Sequence, residues 1–586
     1  MKPLISLAMI VRNEEPHLAR CLNSVRGVVD EMVIVDTGST DGTVEIARHY
    51  TDRIYHYPWH DDFSAARNFA LARARGRWLL SLDADEELDT GQGGLDHLVH
   101  NTDGHEAFFL PLHQMSVEMP GSYSRFFVLR LFQNRPCYRF AGAIHEQVVV
   151  ERPAAVGMAA APVIRHHPLP AQERRRRRGR NLALLQRAAA ADPANPFWQY
   201  YLGVEWLGLG RAARALPHLQ RACRELDDSH ILFRAQAVRA LVACCQSLGR
   251  LDEAICLCLE ETHRYPTYTD LFFDGGLLFE EKGEYAIARR WFQEAVNCGP
   301  PPALFGHTGG TESFLSLYHL GYCNEKLGRW QEAVQYYEQA LAANPGYIYP
   351  LYNLFLILLV EEGPLQTLAR LRNAGHCRQG AMAAALAGLF CEAGYPDLAC
   401  ACLDGLPLAE NQLPSPAFYV YAGRVKEALH LVERHRATGR ALDPGLAVDE
   451  IVALILQMEY ETARTRALSL WRQQPERSRA VALLNLISLC RDGSSSLRPE
   501  KAREPEVIRV ILDVLEKCLR FQAGTPGPGR ARLPRRPHHL AAAAIAYLST
   551  LSPEACASLG NYLAEKAGAL RRLAAFKFGP AGGLIP

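Results

Sequence analysis

Trp78-Leu-Leu-Ser-Leu-Asp83-Ala-Asp85-Glu-Glu87 is an apolar run that ends abruptly in acids. Residues 77–82 read as a buried strand, and the strand runs straight into two carboxylates one residue apart. Side chains at i and i+2 of an extended segment point the same way, so Asp83 and Asp85 can face one cation. Open α/β sheets bind their ligands at this carboxyl-terminal edge. Hard cations such as Mg²⁺ or Mn²⁺ take oxygen ligands and often share them with phosphate. The sharp interpretation is a metal–diphosphate site; the plainer one is an acidic turn after a strand.

Outward from this stretch, strand-like and helix-like pieces alternate. Residues 4–11 predict a strand, 15–24 a helix with Pro16 in its first turn, and 31–35 a second strand that exits through Asp36-Thr-Gly-Ser-Thr-Asp41-Gly. Residues 43–49 predict a helix, 53–57 a short extended piece and 64–74 another helix; 108–113, 124–132 and 144–150 predict later strands. The pattern implies an α/β fold, Rossmann-like, with a mostly parallel sheet and helices on both faces. The first apolar residues lack a small-residue cleavage site before Arg12-Asn-Glu-Glu, so they read as a strand rather than a signal segment.

From about residue 180 the period becomes helical and repeats. Turn glycines stand at 210, 249, 283 and 328, and a small residue follows each five positions later: Ala215, Ala254, Ala288 and Ala333. A glycine turns the chain, and small residues let two antiparallel helices approach. Weaker copies continue through Gly394/Ala399 and Gly423/Ala428. The pattern resembles the tetratricopeptide repeat and predicts an all-α solenoid. The expected division is 1–175, 180–350 for the clear repeats, 351–490 for degenerate helical repeats, and 491–586 for linker segments and an Ala/Leu-rich helical tail.

The chain of 586 residues is too long for one core. A net charge of +1 argues against general nucleic-acid binding, which depends on neutralising phosphates. No apolar run spans a bilayer. The 16 cysteines form no Cys-x-x-Cys pair and no zinc array with histidines. They read as reduced core thiols, which implies a cytoplasmic protein without a disulfide framework.

Five features of the first domain converge: Val11-Arg-Asn-Glu14, Asp36-Thr-Gly-Ser-Thr-Asp41-Gly-Thr, Asp61-Asp-Phe-Ser-Ala-Ala-Arg67-Asn68, the Asp83-Ala-Asp85 pair, and Phe140-Ala-Gly142-Ala-Ile-His145-Glu146-Gln147. In this order they resemble the family-2 glycosyltransferases of the GT-A fold, and within them the bacterial subgroup with tetratricopeptide repeats that includes sublancin-type peptide S-glycosyltransferases. The likeness covers residues 1 to about 345. It implies a nucleotide-diphosphate sugar as donor, a UDP-sugar by preference, and a divalent cation, Mn²⁺ or Mg²⁺. It sets Asp36 on the nucleobase, with capping of its own loop as the alternative. It sets Glu14 and Arg67 at the donor, Asp83 on ribose or sugar and beside the metal, and Asp85 on the metal. Glu146 is the candidate base, with His145 as the rival or as its orienting partner. His166 is the candidate metal or diphosphate histidine; the chain has His166-His167-Pro-Leu where the subgroup has His-x-Gly-Tyr, so which histidine serves is open.

Arg174–Arg178 is a run of five arginines before the first repeat helix. A solvated helix face, a clamp on the donor diphosphate, and a contact to acidic peptide or anionic lipid all fit it. The resulting expectation is a metal-dependent, inverting glycosyltransferase that acts on a peptide or protein held partly by the repeats. An envelope polysaccharide or lipid-linked acceptor is the rival, and a non-catalytic repeat scaffold with a relict first domain is the alternative class. No nucleic-acid partner is expected; a homo-oligomer is compatible with the sequence.

Overall fold

The computed structural model describes residues 3–91, 94–116, 122–406, 414–437, 443–472, 476–492 and 509–514, with single positions beyond. Contacts divide the chain into two compact units, Met1–Pro350 and Leu351–Pro586. The tail expected at 491–586 lies almost wholly outside the described residues.

The first unit opens with β1 (Ile5–Val11), α1 (Leu18–Val25), β2 (Glu31–Asp36), α2 (Thr43–Arg48), β3 (Ile54–His56), α3 (Phe63–Leu71) and β4 (Trp78–Ser81). Then come β5 (Glu86–Asp89), α4 (Gly94–His100), β6 (Ala107–Met115), β7 (Tyr123–Gln133), β8 (Phe140–Ala141), β9 (Gln147–Val148), β10 (Val156–Met158) and β11 (Val163–His166). The main sheet runs β3-β2-β1-β4-β7-β6-β11-β5. Its central strands read as near-continuous apolar runs because both faces are covered. Leu7, Met9, Trp78 and Leu80 are fully buried there. β1 pairs in parallel with β2 and β4 in a register that sets Val11 opposite Asp36 and Ala8 opposite Ser81. The loops leaving these three strands therefore open on one edge.

Three sequence expectations change. The sheet is mixed rather than mostly parallel, because β7 runs antiparallel to both β4 and β6. The acids after β4 lead into a further strand, β5, which pairs antiparallel with β11. Residues 144–150 are not one continuous strand: only Gln147–Val148 (β9) is extended, in a two-rung hairpin with β8, and the segment between them turns at Gly142 (φ 100°) and His145 (φ 49°). A non-glycine residue in the left-handed region cannot continue a strand, whatever the apolar alternation beside it suggests.

α5 (Ala171–Ala191) leads into paired helices: α6 (Pro196–Gly208) with α7 (Ala212–Glu225), α8 (Ile231–Ser247) with α9 (Leu251–Arg264), and α10 (Thr269–Glu281) with α11 (Tyr285–Cys298). After a two-residue strand β12 (His307–Thr308), α12 (Phe314–Lys326) pairs with α13 (Trp330–Ala343). The four turn glycines have φ between 70° and 78°, and Ala215, Ala254, Ala288 and Ala333 are fully buried. Close approach is enforced at a second position. A Cβ on Gly203, Gly276 or Gly321 would fall 2.5–2.6 Å from Leu219, Phe292 or Tyr337, each sixteen residues on. The wide spacing between the third and fourth turn glycines has a structural counterpart: β12 lies in that insertion and pairs with β7, tying the repeats to the main sheet.

The second unit is helical, from α14 (Tyr349–Glu361), which begins at the boundary, to Arg477–Asp492 and a short described piece beyond. Gly394 and Gly423 have positive φ, and Ala399 and Ala428 are buried. Among the described residues no helix is long and apolar enough to cross a membrane, and every described cysteine is free.

Candidate active site

A cavity of about 1200 Å³ opens at the edge where β1, β2 and β4 end. Its floor comes from the loops after β1 and β4 and from β7; its far wall comes from α5, α6, α8 and the residues before β12.

Arg67 organises the floor. Asp62 caps α3 by accepting from the Ala65 N–H (2.9 Å), which fixes the helix start and buries Arg67 one turn on. Arg67 donates from Nη2 to Asp83 (2.5 Å), from Nη1 to Ser81 (3.3 Å) and from Nε to Glu146. Burial disfavours its charge, but the two carboxylates outweigh that and keep it protonated. The neighbouring Asn68 clamps β8 through both amide atoms, at 2.8 and 2.9 Å from the Phe140 carbonyl and N–H. One Arg-Asn pair thus aims at Asp83 and also anchors the strand that delivers Glu146.

Asp83 is held on its other oxygen by Arg130 of β7 (2.8 Å), which also donates to Glu86 (3.0 Å). Burial pushes the Asp83 carboxyl up, yet the two guanidiniums win and hold it far below the usual range. The same burial pushes Glu86 up to about 7, with Arg130 only partly offsetting it. Arg130 was missed by sequence reasoning; its signal is a lone cation inside the apolar strand Phe126-Phe-Val-Leu-Arg130-Leu-Phe.

Asp85 and Glu14 meet at a different cation. Arg177 of α5 donates to Asp85 (3.0 Å), to Glu14 (2.8 Å) and to Glu173 (2.9 Å). Asp85 also faces the His166 Nε2 at 3.5 Å. Burial would raise Asp85 and lower His166, but their mutual contact reverses both directions. Burial pushes Glu14 up to about 7 despite Arg177. His167 turns away to Glu87 (2.7 Å), so of the two histidines it is His166 that faces the cavity acids.

Asp36 stands apart. It is buried at the end of β2 and accepts from the Ser39 and Gly38 N–H groups (3.0 and 3.2 Å), and the His56 Nδ1 lies 3.2 Å away. Its carboxylate closes its own loop, and Thr37 rather than Asp36 lines the cavity. His145 stacks on Tyr201 of α6, with ring centroids 3.8 Å apart. Its buried Nε2 has no hydrogen-bond partner, and burial pushes the imidazole down to about 4. Asn13 and His145 both line the cavity in the left-handed region (φ 55° and 49°), a strain of about 1–3 kcal/mol per residue that tends to collect at functional sites.

A divalent cation is tested against these donors. Asp85 and His166 offer a carboxylate and an imidazole to one point, while both Asp83 oxygens are occupied by arginines. Among the described residues no group of three such side chains converges to hold a metal alone. Mg²⁺-type ions are commonly held by one or two carboxylates with substrate phosphates completing the shell. The pair fits a cation shared with a diphosphate, not a self-sufficient metal centre.

Comparison with known proteins assigns two segments of the chain to families. Residues 6–104 match the glycosyl transferase family 2 model, and residues 314–347, which are α12 and α13, match the tetratricopeptide repeat model. A TPR repeat-containing protein of Synechococcus elongatus is 46% identical over 145 residues, which is 25% of this chain and 35% of that protein. The SPbeta prophage-derived glycosyltransferase SunS of Bacillus subtilis is 26% identical over 291 residues, 47% of this chain and 67% of SunS. Among solved structures, MamA is 19% identical and covers 30% of this chain and 96% of its own, at a TM-score of 0.25. The chain thus spans only part of the curated relatives it matches. It carries a family-2 glycosyltransferase domain joined to tetratricopeptide repeats.

Proposed function

We propose that the protein is an inverting glycosyltransferase that moves a sugar from a nucleotide-diphosphate donor, a UDP-sugar by preference, to a peptide or protein acceptor. The observation that carries this is the shared cavity: Asp83, Asp85 and Glu146 line it from the transferase domain, and Tyr200, Tyr201 and Phe233 line it from the repeat helices. Glu146 is oriented by Arg67 and takes the acceptor's proton as the acceptor heteroatom bonds to the anomeric carbon. The bond from that carbon to the diphosphate breaks on the opposite face, and the electron pair leaves with the diphosphate. His145, neutral because burial holds it near 4, lines the cavity beside Glu146 with its Nε2 turned toward Glu205 at 3.9 Å, and orients the acceptor or the glutamate. Asp85 and His166 would hold a divalent cation, which when bound supplies Lewis-acid neutralisation of the leaving diphosphate. Asp83 takes ribose or sugar hydroxyls at its arginine-fixed carboxylate, and Asp36 acts on the nucleobase through the loop after β2 that it closes.

Donor hydrolysis with Mn²⁺ and then with chelator tests the enzyme, and a panel of UDP-, GDP- and dTDP-sugars read by thermal shift identifies the donor. Asp85→Asn abolishes the metal-dependent turnover with the fold intact. Phe233→Ala lowers transfer to acceptor far more than donor hydrolysis; equal losses would remove the repeats from the acceptor site.

A further inference from the structure

The five-arginine run is divided by the helical period. Glu173, Arg176, Arg177 and Arg180, spaced as neighbours on one helix face, line the cavity. Arg178 points elsewhere, to Glu205 of α6 (2.9 Å), and Arg174 and Arg175 stay exposed. Arg177 therefore brings a guanidinium from α5, the helix that leads into the repeats, to the two carboxylates, Glu14 and Asp85, that follow β1 and β4. It stands where a positive charge must stand if those acids are to tolerate a diphosphate.

We propose, on the basis of the donor assignment above, that Arg177 is an exchangeable ligand: it binds the donor diphosphate, and in the free protein it is parked on Glu14 and Asp85. A guanidinium fork matches phosphate oxygens as well as carboxylates, so the exchange keeps its hydrogen bonds. Arg176 and Arg180 on the same face add charge to the receiving surface. Leaving Asp85 also frees that carboxylate beside His166 for the cation that accompanies the donor. Cation and nucleotide then bind cooperatively, because each removes what obstructs the other. The helix that joins the sheet domain to the repeats thus takes part in donor capture.

The test is binding rather than turnover. UDP and inorganic pyrophosphate are titrated into the full chain with chelator present, by calorimetry. Mn²⁺ alone is titrated by the loss of its free paramagnetic resonance signal. Loss of a charge-assisted contact weakens binding by about ten- to a hundredfold, so Arg177→Ala should bind UDP and pyrophosphate that much more weakly. The same variant should bind Mn²⁺ alone more tightly than wild type, because Asp85 is released. Arg177→Lys, which keeps the charge without the fork, should fall between, and the exposed Arg174→Ala should match wild type in both titrations. A salt bridge that only staples α5 to the sheet would lower thermal stability without this opposite pair of shifts. Wild type that binds UDP while Arg177→Ala binds it equally overturns the exchange and leaves the donor assignment standing. Wild type that binds neither UDP, GDP nor pyrophosphate, with or without Mn²⁺, overturns both.

Discussion

Two arginines in the first unit, Arg67 buried and Arg239 half-buried, each gather a pair of acids, and only the first does so on the cavity. Arg67 holds Asp83 and Glu146 on the floor of the cavity. Arg239 of α8 holds Asp274 (2.7 Å) and Asp270 (2.9 Å) among the repeats, and Asp270 also accepts from the Thr308 N–H (2.7 Å) and faces the His307 Nδ1 at 2.8 Å. His307 continues to Glu312 at 3.1 Å. Both clusters perturb their protonation equilibria strongly. The difference is completion. Every partner in the second cluster is a neighbour in the fold, and together they lock β12 and its flanking turn against α8 and α10. The first cluster opens on space, beside a histidine nitrogen that makes no hydrogen bond and faces Glu205 at 3.9 Å. Perturbed acids therefore point to a candidate site only where they also meet an opening.

The sharpest way to break this comparison is Glu146→Gln. A general base contributes about 10²- to 10⁴-fold, so transfer should fall by that much while donor binding and melting temperature hold. Near-normal transfer would move the base elsewhere. Asp270→Ala should do the reverse. It removes the fully buried carboxylate that Arg239 and His307 share, leaving Asp274 and Glu312 as their remaining partners. Loss of one member of such a buried network costs about 3–5 kcal/mol in chemical denaturation. A variant of normal stability and no hydrolysis would make the sealed cluster the functional one. Gly276→Ala presses a methyl group against Phe292, 2.6 Å from its ring, and should cost about 1–3 kcal/mol.

The smallest effect separates the two histidines by sign. His145 is pushed down to about 4, so its contribution to stability is present above the ordinary histidine value and is lost as pH falls toward 4. His307 has a raised value: burial opposes its charge, but Asp270 and Glu312 outweigh that. Its contribution is present below the ordinary histidine value and is lost as pH rises through the raised one. Thermal melts of His145→Gln and His307→Gln across pH 4 to 8 should deviate from wild type at opposite ends. Deviations at the same end would show that the two environments are alike.

Much of this was legible in one dimension. The period of glycine and small residues located the paired helices, because a chain reversal and a close helix contact each demand a particular residue type at a fixed spacing. The strands before Glu14 and Asp83 were legible because buried parallel strands are unbroken apolar runs that end at the ligand edge. Arg67-Asn68 stood out as a motif, although its double duty, one side chain on Asp83 and Glu146 and the next on β8, lay 16 to 79 residues away in sequence. The hairpin around His145 was misread as a strand because apolar alternation is blind to a positive φ.

What the amino-acid order alone determined is the set of local elements and the identity of the acids at the sheet edge, since propensity, period and turn chemistry act over a few residues. Only the tertiary structure decided which cation each acid meets. Arg67 and Arg130 go to Asp83, Arg177 goes to Asp85 and Glu14, and Asp36 turns back on its own loop. These pairings depend on distances between segments far apart in the chain, and on burial that makes an unpaired charge too costly to leave alone.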